Sequence, residues 1–162
     1  MIDLLAHVLA RTAHLVFAAI WAGSVFYVAL VVLPLARDGA FNTTKPLETL
    51  SSKLTTISRA SAVVLLLTGG HMAGTGYSIG GGTGPDLFTS PNGQLVLLMV
   101  VLWLVLAALV EIGASRFESG LNGKKLREPA HEALPVFRAA AVVAVGLLVV
   151  AGLITTNAAY LF

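Results

Sequence analysis

Asp3, His7, Arg11 and His14 stand at the head of a run that otherwise looks made for lipid, MIDLLAHVLARTAHLVFAAIWAGSVF. At 100° per residue the four fall within about 80° of one another on a helix, so they form one stripe. The same face continues through Ala18, Trp21, Val25 and Val32. Ionisable groups inside a span are costly and usually face a bundle interior or a wet cavity. The stripe is therefore expected to point at other helices. A second apolar run ends in TGGHMAG and brings His71 and Met72, and Met99 lies near the outer end of a third. Neutral imidazole is a common ligand of copper and of haem iron. For a metal site the expected core is His14 with His71, His7 being an outer entry ligand and Met72 and Met99 auxiliary contacts. For a haem b site, His14 or His7 would oppose His71 and Arg11 would hold a propionate. No nucleophile–base pair or paired carboxylate marks a hydrolase, and the chain is not expected to be an enzyme.

These groups need elements to hold them, and the composition dictates which. Of 162 residues, 57% are hydrophobic and 11% charged, against roughly 45–50% and roughly 25% in soluble domains. A soluble domain of this size could not hide so much apolar surface, so the solvent is lipid. A bilayer core needs on the order of 20 apolar residues per helix. Four stretches qualify within one domain, at about 4–36, 55–76, 94–114 and 137–158. The expected fold is all-α, an integral membrane four-helix up-and-down bundle. There is no cysteine, which removes disulfides and thiolate ligands.

Lys and Arg gather in the connections 36–58 and 114–136, whereas 77–93 and the C-terminal tail have none. By the positive-inside rule those two connections are cytoplasmic and both termini lie outside a plasma membrane. The basic residues thus report orientation, and no nucleic-acid partner is implied. KPLETLSSKLTTISR spaces Leu47, Leu50, Leu54 and Ile57 as an amphipathic entry to the second helix. The Gly-rich segment GYSIGGGTGPDLFTSPNG matches no phosphate-binding pattern and reads as a flexible cap. Glu111 is expected to pair with Arg116 or Arg138, Trp21 and Trp103 to fill the bundle, and Thr155, Thr156 and Asn157 to end the fourth helix. Small residues on the second and fourth helices suit a homodimer or a partnered arrangement.

HLVFAAIWAGSVFYVALVVLPLA resembles the first helix of the copper-resistance D (CopD-like) membrane domain, through His14, Trp21, Gly23 and Pro34. LTTISRASAVVLLLTGGHMAG is similar to that family's Arg-led second helix closing in Thr-Gly, here Arg59, Thr68 and Gly69. The resemblance implies copper uptake or resistance, partnership with an extracytoplasmic copper-binding protein, and a fold like that of small membrane cytochromes b. The chain carries only the four-helix core and no Cys-containing or Met-rich relay. Three readings follow: copper handling through an outward-facing histidine site, a bis-histidine haem electron carrier, and a structural subunit whose stripe docks a partner helix.

Overall fold

The structure is a computed structural model that describes residues 2–80, 83–123 and 127–156. The chain runs α1 (Ile2–Tyr27), a π-helical turn (Val28–Val32), α2 (Leu33–Arg37), α3 (Lys45–Gly76), α4 (Pro91–Asn122) and α5 (Arg127–Thr155). Pro34 explains the π turn, because proline has no N–H and its ring crowds the carbonyl one turn back. The backbone widens there, with the Leu33 N–H bonding to the Val28 carbonyl, and the helix passes on into α2. The amphipathic segment expected before the second span is continuous with it, so α3 begins at Lys45 and not near residue 55. Pro91 opens α4 behind Ser90, whose hydroxyl accepts from the Gly93 N–H at 3.1 Å. The fourth helix likewise starts ten residues earlier than its apolar stretch and is described to Thr155; Asn157 lies outside the described residues.

Four helical columns are long and apolar enough to cross a bilayer. α1 packs on α3, α3 on α4, α4 on α5, and the π turn and α2 close the ring on α5. The protein is an all-α, up-and-down membrane bundle. Its core is densest at the basic end, where Val25, Val28, Ala29, Val32, Leu33 and Ala36 are buried together with Leu47, Leu54, Phe117, Leu121, Ala133, Leu134 and Phe137. Among the described residues, burial thins towards the other end, and Leu4, Leu5, Val8 and Leu9 of α1 are exposed.

The charged residues level the columns. Arg59 of α3 and Glu111 of α4 form a two-pronged ion pair at 2.8 and 2.9 Å. Glu111 therefore pairs neither with Arg116 nor with Arg138. Arg116 is five residues along the same helix, about 140° round it, whereas Arg59 stands beside Glu111 on the neighbouring column. On α5, Arg138 lies at the same level, since Phe137 packs beside Gly113. From this belt outwards, 60–76, 91–110 and 139–155 contain no Asp, Glu, Lys or Arg, a window of roughly 24–30 Å at 1.5 Å per residue. That matches a hydrocarbon core of about 30 Å. α1 is out of step: its apolar run continues to Leu35, and Tyr27, Leu30, Val31 and Leu35 are exposed beyond the belt.

Close helix approach rests on glycine at two points of the α4–α5 seam. A Cβ on Gly113 would come within 2.8 Å of the Phe137 ring, and one on Gly120 would run into the Pro129 ring. At Gly146 an added Cβ would meet Leu102 at an ordinary 3.7 Å. Gly113→Val is expected to cost about 1–3 kcal/mol through overpacking. Gly146→Ala is expected to be neutral or to stabilise, since alanine is the better helix former by about 1 kcal/mol. Thermal midpoints of the two variants in detergent check the pair.

Candidate functional site at the α1–α3 seam

Two side-chain hydrogen bonds tie α1 to α3. The Trp21 indole N–H donates to the Ser58 hydroxyl at 2.8 Å, with both residues buried. Seven residues nearer the N-terminus, His14 Nδ1 lies 2.8 Å from the Thr68 hydroxyl. Both α1 groups in the seam come from the stripe read in the sequence. Their partners lie on a stripe of α3, where Leu47, Ser51, Leu54, Ser58, Ser61 and Leu65 are buried at alternating spacings of three and four.

The Thr68 bond fixes the chemistry of His14. A threonine hydroxyl has one proton, and Thr68 gives it to the Val64 carbonyl at 2.7 Å. A hydroxyl that donates there accepts from the ring, which favours the tautomer with the proton on Nδ1. In that tautomer Nε2 keeps its lone pair. An imidazole whose Nδ1–H is held by an oxygen while Nε2 stays basic is the arrangement in which histidine binds metals. Gly69 lets the ring lie this close, since a Cβ there would meet His14 Cε1 at 3.2 Å. The Thr68–Gly69 pair is thus the seat of His14.

The antiparallel register set by these two bonds carries outwards. Met72 is one turn beyond Thr68 on the same stripe of α3 and is half-buried. The Arg59–Glu111 level carries Met99 of α4 to about the height of Met72, and Met99 is also half-buried. Trp103, one turn below Met99, has a buried indole N–H with no hydrogen-bond partner among the described residues. The Ser61 hydroxyl, on the α3 stripe between Ser58 and Thr68, is likewise buried and unpartnered among them. The level of Thr68 thus holds His14 and the Trp103 indole, with two thioethers about one turn above and the Ser61 hydroxyl about two turns below.

The other expected site residues are placed differently. His71 is exposed, one residue off the inward stripe, with its backbone carbonyl accepting from the Thr75 hydroxyl at 3.0 Å. Asp3, His7 and Arg11 are exposed on α1, where the end of α3 is rich in small residues, Gly70, Ala73, Gly74 and Gly76. Of the stripe, His14 is the member packed into the seam. Among the described residues no three His, Asp or Glu side chains converge as a preformed metal cluster. Thr68 is the functional group that sequence reading missed as a partner of His14. The signal was available, since Thr68 with Gly69 sets a hydroxyl beside an open backbone at the close of the second apolar run. Thr68 is nine residues past Arg59, ~14 Å along α3, which sets His14 roughly midway through the charge-free window.

The connection between α3 and α4 is more ordered than a Gly-rich segment suggests. Asp86 accepts from the Phe88 and Thr89 N–H groups at 2.9 Å each, from Gly80 N–H at 3.2 Å and from the Thr89 hydroxyl at 3.1 Å. The Ser78 N–H donates to the Pro85 carbonyl and the Leu87 N–H returns to the Ser78 carbonyl, both at 3.0 Å. The mouth of the α3 end is a polar depression of about 450 Å³ lined by Gly74, Thr75, Gly76, Tyr77, Ser78, Thr83 and Gly84.

No family model matches the chain, and neither does any curated protein or solved structure. What the fold defines is a class, the multi-pass four-helix membrane bundle. The content of the site has to be argued from its own residues.

The backbone N–H groups of Phe88, Thr89 and Gly80 hold the Asp86 carboxyl below its usual range. Those bonds favour the ionised form, so their stabilisation is complete above the ordinary carboxylate value and is lost as pH falls through the depressed folded one. The Phe88 and Thr89 amide resonances are expected to titrate with a midpoint below the ordinary carboxylate value of about 3.9. In Asp86→Asn that transition is expected to vanish.

Proposed function

We propose that the protein handles copper at a site built on His14 Nε2, with the thioethers of Met72 and Met99 as further donors. The observation that carries this reading is the Thr68 hydroxyl 2.8 Å from His14 Nδ1, which orients the ring and favours the tautomer with a lone pair on Nε2. Imidazole together with thioether is a soft donor set, and soft ligands select Cu(I) among biological copper ions. Both methionines lie on inward stripes about one turn, ~6 Å, above the His14 layer. His7 and His71 are exposed at the outer end of the same two helices and serve as entry ligands. Arg11 snorkels towards the outer interface. The resemblance to the CopD-like domain supports the same cargo and, with the basic connections inside, an outward-facing site fed by an extracytoplasmic copper-binding protein.

The haem reading finds less support in this seam. His14 and Thr68 are in direct hydrogen-bond contact, and a planar macrocycle between His14 on α1 and His71 on α3 would have to part the two helices. A small ion needs no such opening. The remaining reading, a docking stripe without cargo, leaves the orientation of His14 by Thr68 without a use.

Copper binding to the detergent-purified protein tests the proposal, with Cu(I) held in competition against a chromophoric chelator. Near-stoichiometric Cu(I) is expected, lost in His14→Ala and weakened in Met72→Leu. Thr68→Val keeps the shape but removes the oxygen, and a loss of about 10–100-fold in affinity is expected, as for other orienting partners of metal-bound histidine. A Soret band in the purified protein would establish haem in place of copper. Copper binding that is unchanged in His14→Ala would overturn the assignment.

A further inference from the structure

At the basic end, α2 and α5 enclose a cleft of about 440 Å³ lined by Arg37, His131, Leu134, Pro135 and Arg138. It is far from the His14 seam and owes nothing to the copper reading. Arg37 gives its Nε to Asp38 at 2.9 Å, which fixes the guanidinium and leaves its terminal N–H groups for another acceptor. Arg138 and His131 are exposed, and neither has an ion-pair partner among the described residues. Arg127 stands over the turn after α2, where Gly39 has φ +84° and a Cβ would run into its guanidinium. Three guanidiniums and an imidazole therefore serve one small region, with Asp38 the carboxylate that engages Arg37.

The surroundings of the cleft are those of a lipid. Arg138 is level with the Arg59–Glu111 pair, where the charge-free windows begin. From Arg138 outwards, Val142, Val145 and Val149 recur at helical spacing on the same face of α5, and all three are exposed. A chain of methylenes can lie along that valine face while an anionic head sits between the arginines. On the α1–α2 column, Leu30, Val31 and Leu35 stay exposed down to the level of the cleft, so apolar surface reaches this depth. Basic pockets between membrane helices on the cytoplasmic side suit anionic head groups, and guanidinium suits phosphate by its fork of donors.

We propose that the Arg37–His131–Arg138 cleft is a binding site for the phosphate of an anionic phospholipid of the leaflet at the basic end, with an acyl chain laid on Val142, Val145 and Val149. The shared chemistry is a phosphate oxyanion, and a free phosphate would use the same arginines without the valine face.

The test is native mass spectrometry of the full chain in detergent, titrated with phosphatidylglycerol or phosphatidylcholine of the same chain length. The expected result is one retained phosphatidylglycerol, preferred about tenfold over phosphatidylcholine. Arg138→Gln and Arg37→Gln are each expected to abolish the preference, while Arg116→Gln, on α4 away from the cleft, keeps it. Thermal midpoints measured without added lipid establish that the variants fold. Equal binding of both lipids, or a preference untouched by Arg37→Gln and Arg138→Gln, would overturn the site. Loss of the bound lipid to millimolar inorganic phosphate would overturn the lipid assignment in favour of a free phosphate.

Discussion

α1 is held against α3 by two hydrogen bonds, Trp21 to Ser58 and His14 to Thr68, and the placing of everything else follows from that register. In hydrocarbon a polar group has no water to fall back on, so a buried donor left without a partner costs about 1–3 kcal/mol, whereas the bond itself contributes only about 1 kcal/mol net. The constraint acts less as glue than as a ruler. A one-residue slip of α1 along α3 would turn the indole and the imidazole away from their acceptors together. It would also draw Val25, Val28 and Val32 out of the core they share with α3 and α5.

That register puts two different environments into one bundle. At the basic end, glycines on α4 allow Phe137 and Pro129 of α5 to seat closely, and the interior is densely packed. Midway through the charge-free window, Trp103 keeps a buried indole N–H without a partner among the described residues, and His14 lies against Thr68. A bundle built for packing alone would have filled this layer with methyl groups. Polar capacity held where lipid gives no compensation is what a membrane protein needs if something polar or charged is to stop there. The dense basic end supplies the rigidity that keeps such a layer in shape.

Much of this was legible in the chain. The four apolar runs, the absence of cysteine and the clustering of Lys and Arg in two connections define a four-helix membrane bundle. Composition decides the solvent, and the solvent leaves helices as the means of crossing for runs of this length. The face running from His14 through Trp21, Val25 and Val32 could also be read, since one-dimensional periodicity reports which side of a helix is covered. Packing changed two of the readings. Glu111 was expected to pair with Arg116 or Arg138, whereas Arg59 reaches it from the neighbouring column. The Gly-rich connection between α3 and α4 was read as a flexible cap, while Asp86 gathers four donors in it. His71, expected beside His14, is exposed one residue off the inward stripe of α3, a rotation that depth along the chain does not report.

The sequence by itself determined the solvent, the number of crossings, the stripe on α1 and the kinds of donor available, because each of these depends on composition or on the angle advanced per residue. Only the tertiary structure decided that His14 meets Thr68, whose hydroxyl also reaches the Val64 carbonyl. Packing likewise decided that Met72 and not His71 shares the inward stripe, and that Arg37 and Arg138, a hundred residues apart, open onto one cleft. These are properties of neighbours across a seam. Register and rotation between helices, which periodicity along one chain does not contain, set them.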